Sequence, residues 1–510
     1  MTMSKVSMTT GNIQFNSQSY EEEYKRSTSE PMHIAVVANF GGDKPRSDLG
    51  QRQVIEIDRD NFEEVFEKFS PSLDLPVFEQ PIVFREFDDL HPDYLVARVG
   101  VFEELQTLKR RLAKPALFEQ TVSDIQRLLD IDAHKDLTEQ KITEKTLTID
   151  ADEASDFMQT LLANSQKNED ASLNPLDDVD AFFRSIVSPY VEPLADPRLD
   201  DMLQAVDSAT SNLLRKIMHA SQFQALESAW RSLYFLVRSV ETSSKLKIFI
   251  VDVNNDELQK DITEGGVASQ SQMYKLLVED RQVSGGIPFS VINVDAYVSD
   301  NLESVRIAES FATIAKASAG IALLGATSRL AGSLSFGDSG DSDDWTLEPE
   351  REFSVAWQEF RESSASQHLA IVAPRFMARL PYGASTSPID SFKYEELGAE
   401  HDHGYYLWGN GSFLVNLLLA QSYTHRGWDF SSSVVTNTVE GLPLHIYRRD
   451  GESFVKPCAE LILTDRSVGR LSSQGMLCVR SISNSDSILI PDFRSVSASG
   501  ESIFACLSAT

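Results

Sequence analysis

The chain has 510 residues, a formal net charge of −31 and 42% hydrophobic residues, too long for one ordinary core and apolar enough for several. That charge argues against nucleic acid, which is bound by neutralising phosphates with Lys and Arg, and against adsorption to an anionic membrane; it suits a basic protein partner. Three cysteines without a CxxC pair, Cys458, Cys478 and Cys506, do not make a disulfide framework and point to a reducing cytoplasm.

Residues 1–30 are polar, lack the apolar centre of a signal peptide, and are expected as a flexible leader. A first unit is expected over 31–131. MHIAVVANF is an apolar, β-branched run that stops at Gly41-Gly42, the mark of a buried strand. QVIEID alternates as a second strand. Asp60 is then placed to cap a helix whose Phe62, Val65, Phe66 and Phe69 recur at helical spacing. PIVFREFDDLHPDYL adds a strand and a turn, and VFEELQTLKRRLAKPALFEQTVSDIQRLLDI an amphipathic helix broken near Pro115.

Residues 132–172 read as an acidic linker. Within it, DFMQTLLA is a short amphipathic island, either a packed linker helix or a recognition helix on a tether, with Phe157, Leu161 and Leu162 as its apolar contacts. From 173 to 440 a helical stretch, with Leu226, Trp230, Leu233 and Val237 on one face, gives way to alternating strands and helices. KLKIFIVDV, PFSVINVDAYV, AGIALLGA and HLAIVAPRF are the strands, and the alternation predicts a substantially parallel sheet. AGIALLGA is far shorter than the roughly 20 residues a membrane-spanning helix needs. Residues 441–510 alternate in shorter runs (LPLHIYR, AELILT, MLCVRSIS, SILIP) and are expected to be β-rich.

Candidate chemistry is sparse. GDSG at Gly337–Gly340 resembles a serine nucleophile loop, yet it lies in a run of acids without a plausible triad order. HDH at His401–His403 could converge on a metal, but supporting ligands at suitable spacing are missing. GNGS at Gly409–Ser412 lacks the lysine of a phosphate loop. No cofactor or metal is expected. PRFMARLPYG sets Arg375 and Arg379 four residues apart, either to clamp an anion or to fork onto carboxylates such as Glu395 or Glu396.

WQEFRESSASQHLAIVAPRFMARLPYG, FKYEE, YYLWGNGSF and RGW follow one another in that order. With QFQALESAWRSLYFLV, KLKIFIVDVNNDELQKD, LPLHIY and KPCAELILTD, this series resembles the large contractile-sheath subunit of bacterial type VI secretion systems, TssC (VipB). HIAVVANFGG, QVIEIDRDNFEEVF, FREFDDLHPDYL and FEELQTLKRRLAKPALFEQTV resemble the small subunit, TssB (VipA). IPFSVINVDAY departs from the family pattern, in which an Asp-Tyr pair ends a glycine-rich strand; here Ala296 separates the two.

The resemblance implies a sheath-subunit-like α/β fold: a small α/β unit joined by the acidic linker to a larger α/β domain with a β-rich C-terminal part. It implies a non-enzymatic structural protein in which two normally separate subunits are fused, fixing their ratio and making their encounter intramolecular. Family members hold together largely by exchanging strands. The large subunit usually continues past the LILTD region, so a specialised sheath-like, end-piece or baseplate-associated part is expected, with an ordinary contractile protomer as the alternative. A soluble hydrolase is the alternative of another class. Expected partners are other sheath subunits or copies of itself, then the inner tube, baseplate proteins and a ClpV-type AAA+ ATPase reading the DFMQTLLA helix. No nucleic acid and no membrane insertion are expected. The resemblance makes Trp230, Trp357, Arg361, Arg375, Arg379, Tyr382, Glu396, Trp408 and Trp428 candidate structural or interface residues.

Overall fold

The computed structural model describes residues 26–133 and 198–507, apart from 77, 79, 267, 284, 399–400 and 431–432. Its centre is a seven-stranded sheet. In chain order the strands are β1 (Met32–Ala38), β2 (Ile55–Ile57), β3 (Leu246–Asp252), β4 (Val291–Val298), β5 (Ile321–Ala326), β6 (Leu369–Ala373) and β7 (Met476–Cys478). In space they run β7-β6-β5-β4-β1-β3-β2, all parallel except β2, which is antiparallel to β3.

Strand β1 decides the architecture. All seven of its residues are buried. It pairs with β3 along its whole length, Met32 opposite Leu246 and Ala38 opposite Asp252, and with β4 on its other side. The N-terminal segment, expected as a unit in its own right, thus supplies an interior strand to a sheet otherwise built mainly from residues after 245. A strand covered on both faces needs an uninterrupted apolar run, which MHIAVVA provides.

Helices cover both faces. On one lie α1 (Phe62–Phe69), α2 (Pro92–Arg98), α3 (Gly100–Leu112), α4 (Pro115–Ala133), α5 (Leu199–Met218) and α6 (Ser221–Ser239). They share one core with Ile34 and Val36 of β1, Ile248 and Ile250 of β3, and Phe413, Leu417 and Ala420 of a later helix. The opposite face carries α7 (Asn255–Gly265), α8 (Leu302–Ala317) and α9 (Arg351–Glu362), packed on Ala35, Val37, Val251, Ile292 and Leu324. The later helix of the first face is α10 (Ser412–Arg426), and α11 (Asp465–Ser473) joins the second. The alternation expected beyond residue 245 is present, giving a three-layer α/β fold. Among the described residues no helix is long and apolar enough to cross a membrane.

Two local expectations differ. Asp60 does not cap α1: Asn61 precedes the helix, and Asp58 Oδ1 accepts the backbone N–H of Asp60 and Asn61 in a turn. AELILT is not a strand. Ala459 makes only an isolated bridge to Phe376, because the segment turns its Glu460 side chain inward to an arginine. The C-terminal region also contains α11 and gives β7 to the main sheet, while His445–Arg449 and Glu452–Lys456 form a separate hairpin.

Candidate functional site

The PRFMARLPYG stretch leaves β6 through a two-residue strand, Phe376–Met377, and a turn, so its arginines do not share a helical face. Arg379 points inward. Its Nε donates to Glu227 Oε1 at 2.7 Å and its Nη2 to Glu227 Oε2 at 3.1 Å. On the other side Nη1 donates to Glu396 Oε2 at 2.7 Å and Nη2 to Glu396 Oε1 at 2.8 Å, while Nη1 also reaches the Leu380 carbonyl at 3.1 Å. A guanidinium has five N–H donors, and these five bonds use them all. Nothing remains to hold a phosphate or carboxylate ligand.

The carboxylates are equally committed. Glu227 takes a second cation, Arg231 Nε at 2.7 Å, and Glu396 accepts the Tyr382 backbone N–H at 2.8 Å. Arg231 Nη2 bonds the Tyr382 hydroxyl at 3.0 Å, and the Arg379 guanidinium stands 4.4 Å from the Tyr382 ring centroid. Two arginines against two glutamates leave the cluster neutral. Burial pushes the Glu227 carboxyl up, but Arg379 and Arg231 outweigh it and hold the group below its usual value. Burial likewise works against the Arg379 cation and is more than offset by Glu227 and Glu396. The N-terminal segment closes over the cluster: His91 packs edge-on to Tyr382 at 4.9 Å, and Asp93 accepts the backbone N–H groups of Asp390 and Ser391.

Arg375 has a separate partner. Its Nε and Nη2 donate to Glu460 Oε1 at 2.9 and 2.6 Å, and its backbone N–H to Oε2 at 2.9 Å. Burial raises the Glu460 carboxyl, yet Arg375 and the bond from His403 bring it down to about 2. Of the two acids suggested for these arginines, Glu396 is taken by Arg379, whereas Glu395 caps the turn at the Ala384 backbone N–H.

Open parallel sheets bind ligands beyond the carboxyl ends of strands where successive connections leave on opposite faces. Here that place is the end of β1, and the chain fills it. Arg46 Nε donates to Asp252 Oδ2 at 2.7 Å, and Arg46 Nη2 reaches the Gly42 carbonyl at 2.9 Å. The Gly41 N–H meets Asp252 Oδ1 at 2.9 Å. A Cβ on Gly41 would lie 2.8 Å from Asp252 Oδ2, so the Gly-Gly pair admits this ion pair rather than a phosphate.

The four candidate tryptophans are buried. Trp230 of α6 donates its Nε1–H to the Phe40 carbonyl at 2.9 Å and packs among Phe40, Phe62, Phe66 and Phe69 of the N-terminal segment. Trp357 stacks on Phe353 and packs at a tilt against Phe360. Trp408 bonds the His403 carbonyl at 2.9 Å, and Trp428 bonds the Glu30 carbonyl at 2.6 Å beneath Arg26. Arg361 ties α9 to the Val496 and Ser473 carbonyls.

The other candidates are occupied too. Ser339 of GDSG donates to Asp344 Oδ2 at 2.5 Å and accepts the Asp341 N–H, with no histidine bonded to it among the described residues. His401 stacks on Tyr447 at 4.0 Å, while His403 bonds Glu460, so the HDH imidazoles do not converge. No group of His, Cys, Asp and Glu suited to a metal ion occurs among the described residues. In GNGS, Asn410 Oδ1 accepts the Ser412 N–H and Asn410 Nδ2 donates to Asp295. Phe157, Leu161 and Leu162 lie outside the described residues. Sequence reasoning missed Glu227, Arg231, Glu460, Arg46 and Asp252. The usable signal was a lone Glu227 beside Leu226 and four residues before Arg231, in a helix otherwise apolar on that side.

Comparison with known proteins gives three matches. Residues 200–497 match the family described as EvpB/VC_A0108, tail sheath N-terminal domain (VipB). Residues 8–130 match the family described as type VI secretion system, VipA, VC_A0107 or Hcp2. A type VI secretion system sheath protein of Pseudomonas aeruginosa, TssC1, is 29% identical over 294 residues; the aligned region spans 56% of this chain and 59% of that relative.

Proposed function

The chain belongs to the VipB tail sheath family, and on that footing we propose that it is a non-enzymatic building part of a bacterial type VI secretion sheath. The observation that carries the proposal is β1. The strand comes from the segment similar to VipA, yet it lies inside the sheet of the segment similar to VipB, paired on both edges. Two sheath-subunit-like parts are thereby joined into one rigid protomer. The saturated Arg379 and the filled crevice beyond β1 support architecture over catalysis.

Cohesion between copies follows from the hairpin. Strand His445–Arg449 pairs only with Glu452–Lys456 among the described residues. A groove of about 490 Å³ runs along it, with Pro381, Thr386, Leu397 and His401 opposite. That is a seat for an extended segment of a neighbouring sheath subunit or of a second copy, adding backbone hydrogen bonds across chains. The inner tube, baseplate proteins and a ClpV-type ATPase are further partners under this reading, in the bacterial cytoplasm. Negative-stain imaging of the purified chain, alone and with sheath subunits from the same source, tests it. Long tubules indicate an ordinary contractile protomer, and discrete rings or caps a specialised end or baseplate-associated part. A monomer that neither self-assembles nor joins sheath subunits overturns the proposal.

A further inference from the structure

The hairpin His445–Lys456 turns at Asp450-Gly451, both at positive φ, and exposes Ile446 and Phe454. It is fastened at its open end through both strands, where His445 lies opposite Lys456. On the first strand, His445 Nδ1 lies 2.9 Å from the Tyr406 hydroxyl. On the second, Lys456 Nζ lies 2.8 Å from His403 Nδ1, above the rings of Tyr406 and Trp408.

His403 is held from every side. Its Nε2 is 3.2 Å from Glu460 Oε1, its ring stacks on Trp408 at 4.9 Å, and Gly337 presses on it so closely that a Cβ there would come within 2.5 Å of Cγ. An ammonium only donates, so the contact with Lys456 holds one proton between two nitrogens. Either the amine is charged and the imidazole neutral, with Nε2–H donating to Glu460, or the imidazole is charged and the amine neutral. A further proton would set two cations 2.8 Å apart.

The surroundings do not compensate for it. Glu460 is matched by Arg375, and Asp402, from the same loop as His403, acts on Lys456. Tyr406 brings only a phenol that burial keeps protonated. Lys456 and Arg375 therefore balance Glu460 and Asp402 while His403 is neutral, and a second proton leaves one positive charge in excess at a largely buried place. Burial already pulls the Lys456 ammonium below its usual value, with Glu460 and Asp402 opposing.

We propose that the His403–Lys456 pair is a proton-operated latch: it fastens the hairpin at neutral pH and releases it on acidification, switching the seat along His445–Arg449. The latch rests on attachments within the chain and stands whether or not a sheath subunit docks there. Amide hydrogen exchange on the full chain, expressed as protection factors at pH 7.5 and 5.5, reads it directly. Protection of residues 446–455 should fall severalfold at the lower pH, about tenfold being the most that one histidine of ordinary pKa can give between these pH values. His445, pushed down to about 4 by burial and by His401, also favours opening below about pH 6.5 once opening exposes it, so the latch is the part of the fall that substitution of Lys456 or His403 removes. Lys456→Met should diminish the fall by the share that the His403–Lys456 pair contributes. His403→Gln, which cannot take the proton, should do the same and serves if the first variant fails to fold. Equal protection at both pH values in the unmodified chain, or an undiminished drop in both variants, overturns the latch.

Discussion

Arg379→Met tests whether the inner arginine is architectural. The substitution keeps much of the side-chain volume and removes five N–H bonds at once. It leaves Glu227 and Glu396, with side chains 0% and 1% exposed, facing Arg231 alone. Breaking a buried ion pair from one side costs about 3–5 kcal/mol, because a charge is stranded without water. The loss should be largest at alkaline pH. In the unmodified chain Glu227 titrates below its ordinary value, so its contribution is present above the unfolded carboxyl pKa and disappears as pH falls through the folded one. Without Arg379 the stranded carboxyl takes up a proton more readily, so the penalty should shrink between pH 8 and pH 5.5. Urea unfolding midpoints at the two pH values measure this. Adding Glu227→Gln should recover part of the loss, since removing both members of a buried pair costs less than removing one. A loss below about 1 kcal/mol, the level of an exposed pair, would refute the argument, as would unchanged stability together with loss of affinity for a small anion.

Trp230→Ala removes the ring that Phe40, Phe62, Phe66 and Phe69 enclose. It should cost about 3–5 kcal/mol and make the N-terminal segment the first product of limited proteolysis; a thermal midpoint within a degree of the unmodified chain would count against the packing account. His33 on β1 has Nδ1 2.9 Å from Arg281 Nη2, and burial, reinforced by Arg281, pushes its imidazole down to about 4. A lowered histidine stabilises the fold fully above about pH 6.5 and loses that contribution as pH falls towards 4, a change of up to about 3 kcal/mol. His33→Gln should flatten the denaturation profile over that interval, and a profile that does not move would remove His33 as the cause.

What could be read from the residues divides by sequence distance. MHIAVVANFGG announces a buried strand and its stop, since an apolar β-branched run ending in Gly-Gly leaves few other readings. Its location between Leu246–Asp252 and Val291–Val298 was not legible, because pairing across more than two hundred residues leaves no periodic trace in either partner. The same distinction governs the arginine cluster. Glu396 is 17 residues from Arg379 and was within reach of inspection, whereas Glu227 is 152 residues away on a helix read for its apolar stripe. Ala459–Thr464 has the alternation of a strand but forms a bridge and a loop, because Glu460 is drawn to Arg375; alternation reports which side chains face inward and not whether a neighbouring strand is available.

The place of β1 also constrains how such a protomer could move. Removing it would open two edges, one on β3 and one on β4, each lined with buried apolar residues and unpaired backbone groups, a surface prone to aggregate. The segments similar to VipA and VipB therefore cannot slide past one another without breaking the central sheet and the core around Trp230. If the chain works in a lattice that changes its packing, the protomer must travel as one body, and the change must fall on elements fastened by few contacts. The hairpin is such an element: among the described residues it belongs to no larger sheet, exposes Ile446 and Phe454, and is fastened at its open end through His445 and Lys456. Rigidity in the sheet and compliance in the hairpin are thus two consequences of one topology, in which an interior strand comes from the beginning of the chain.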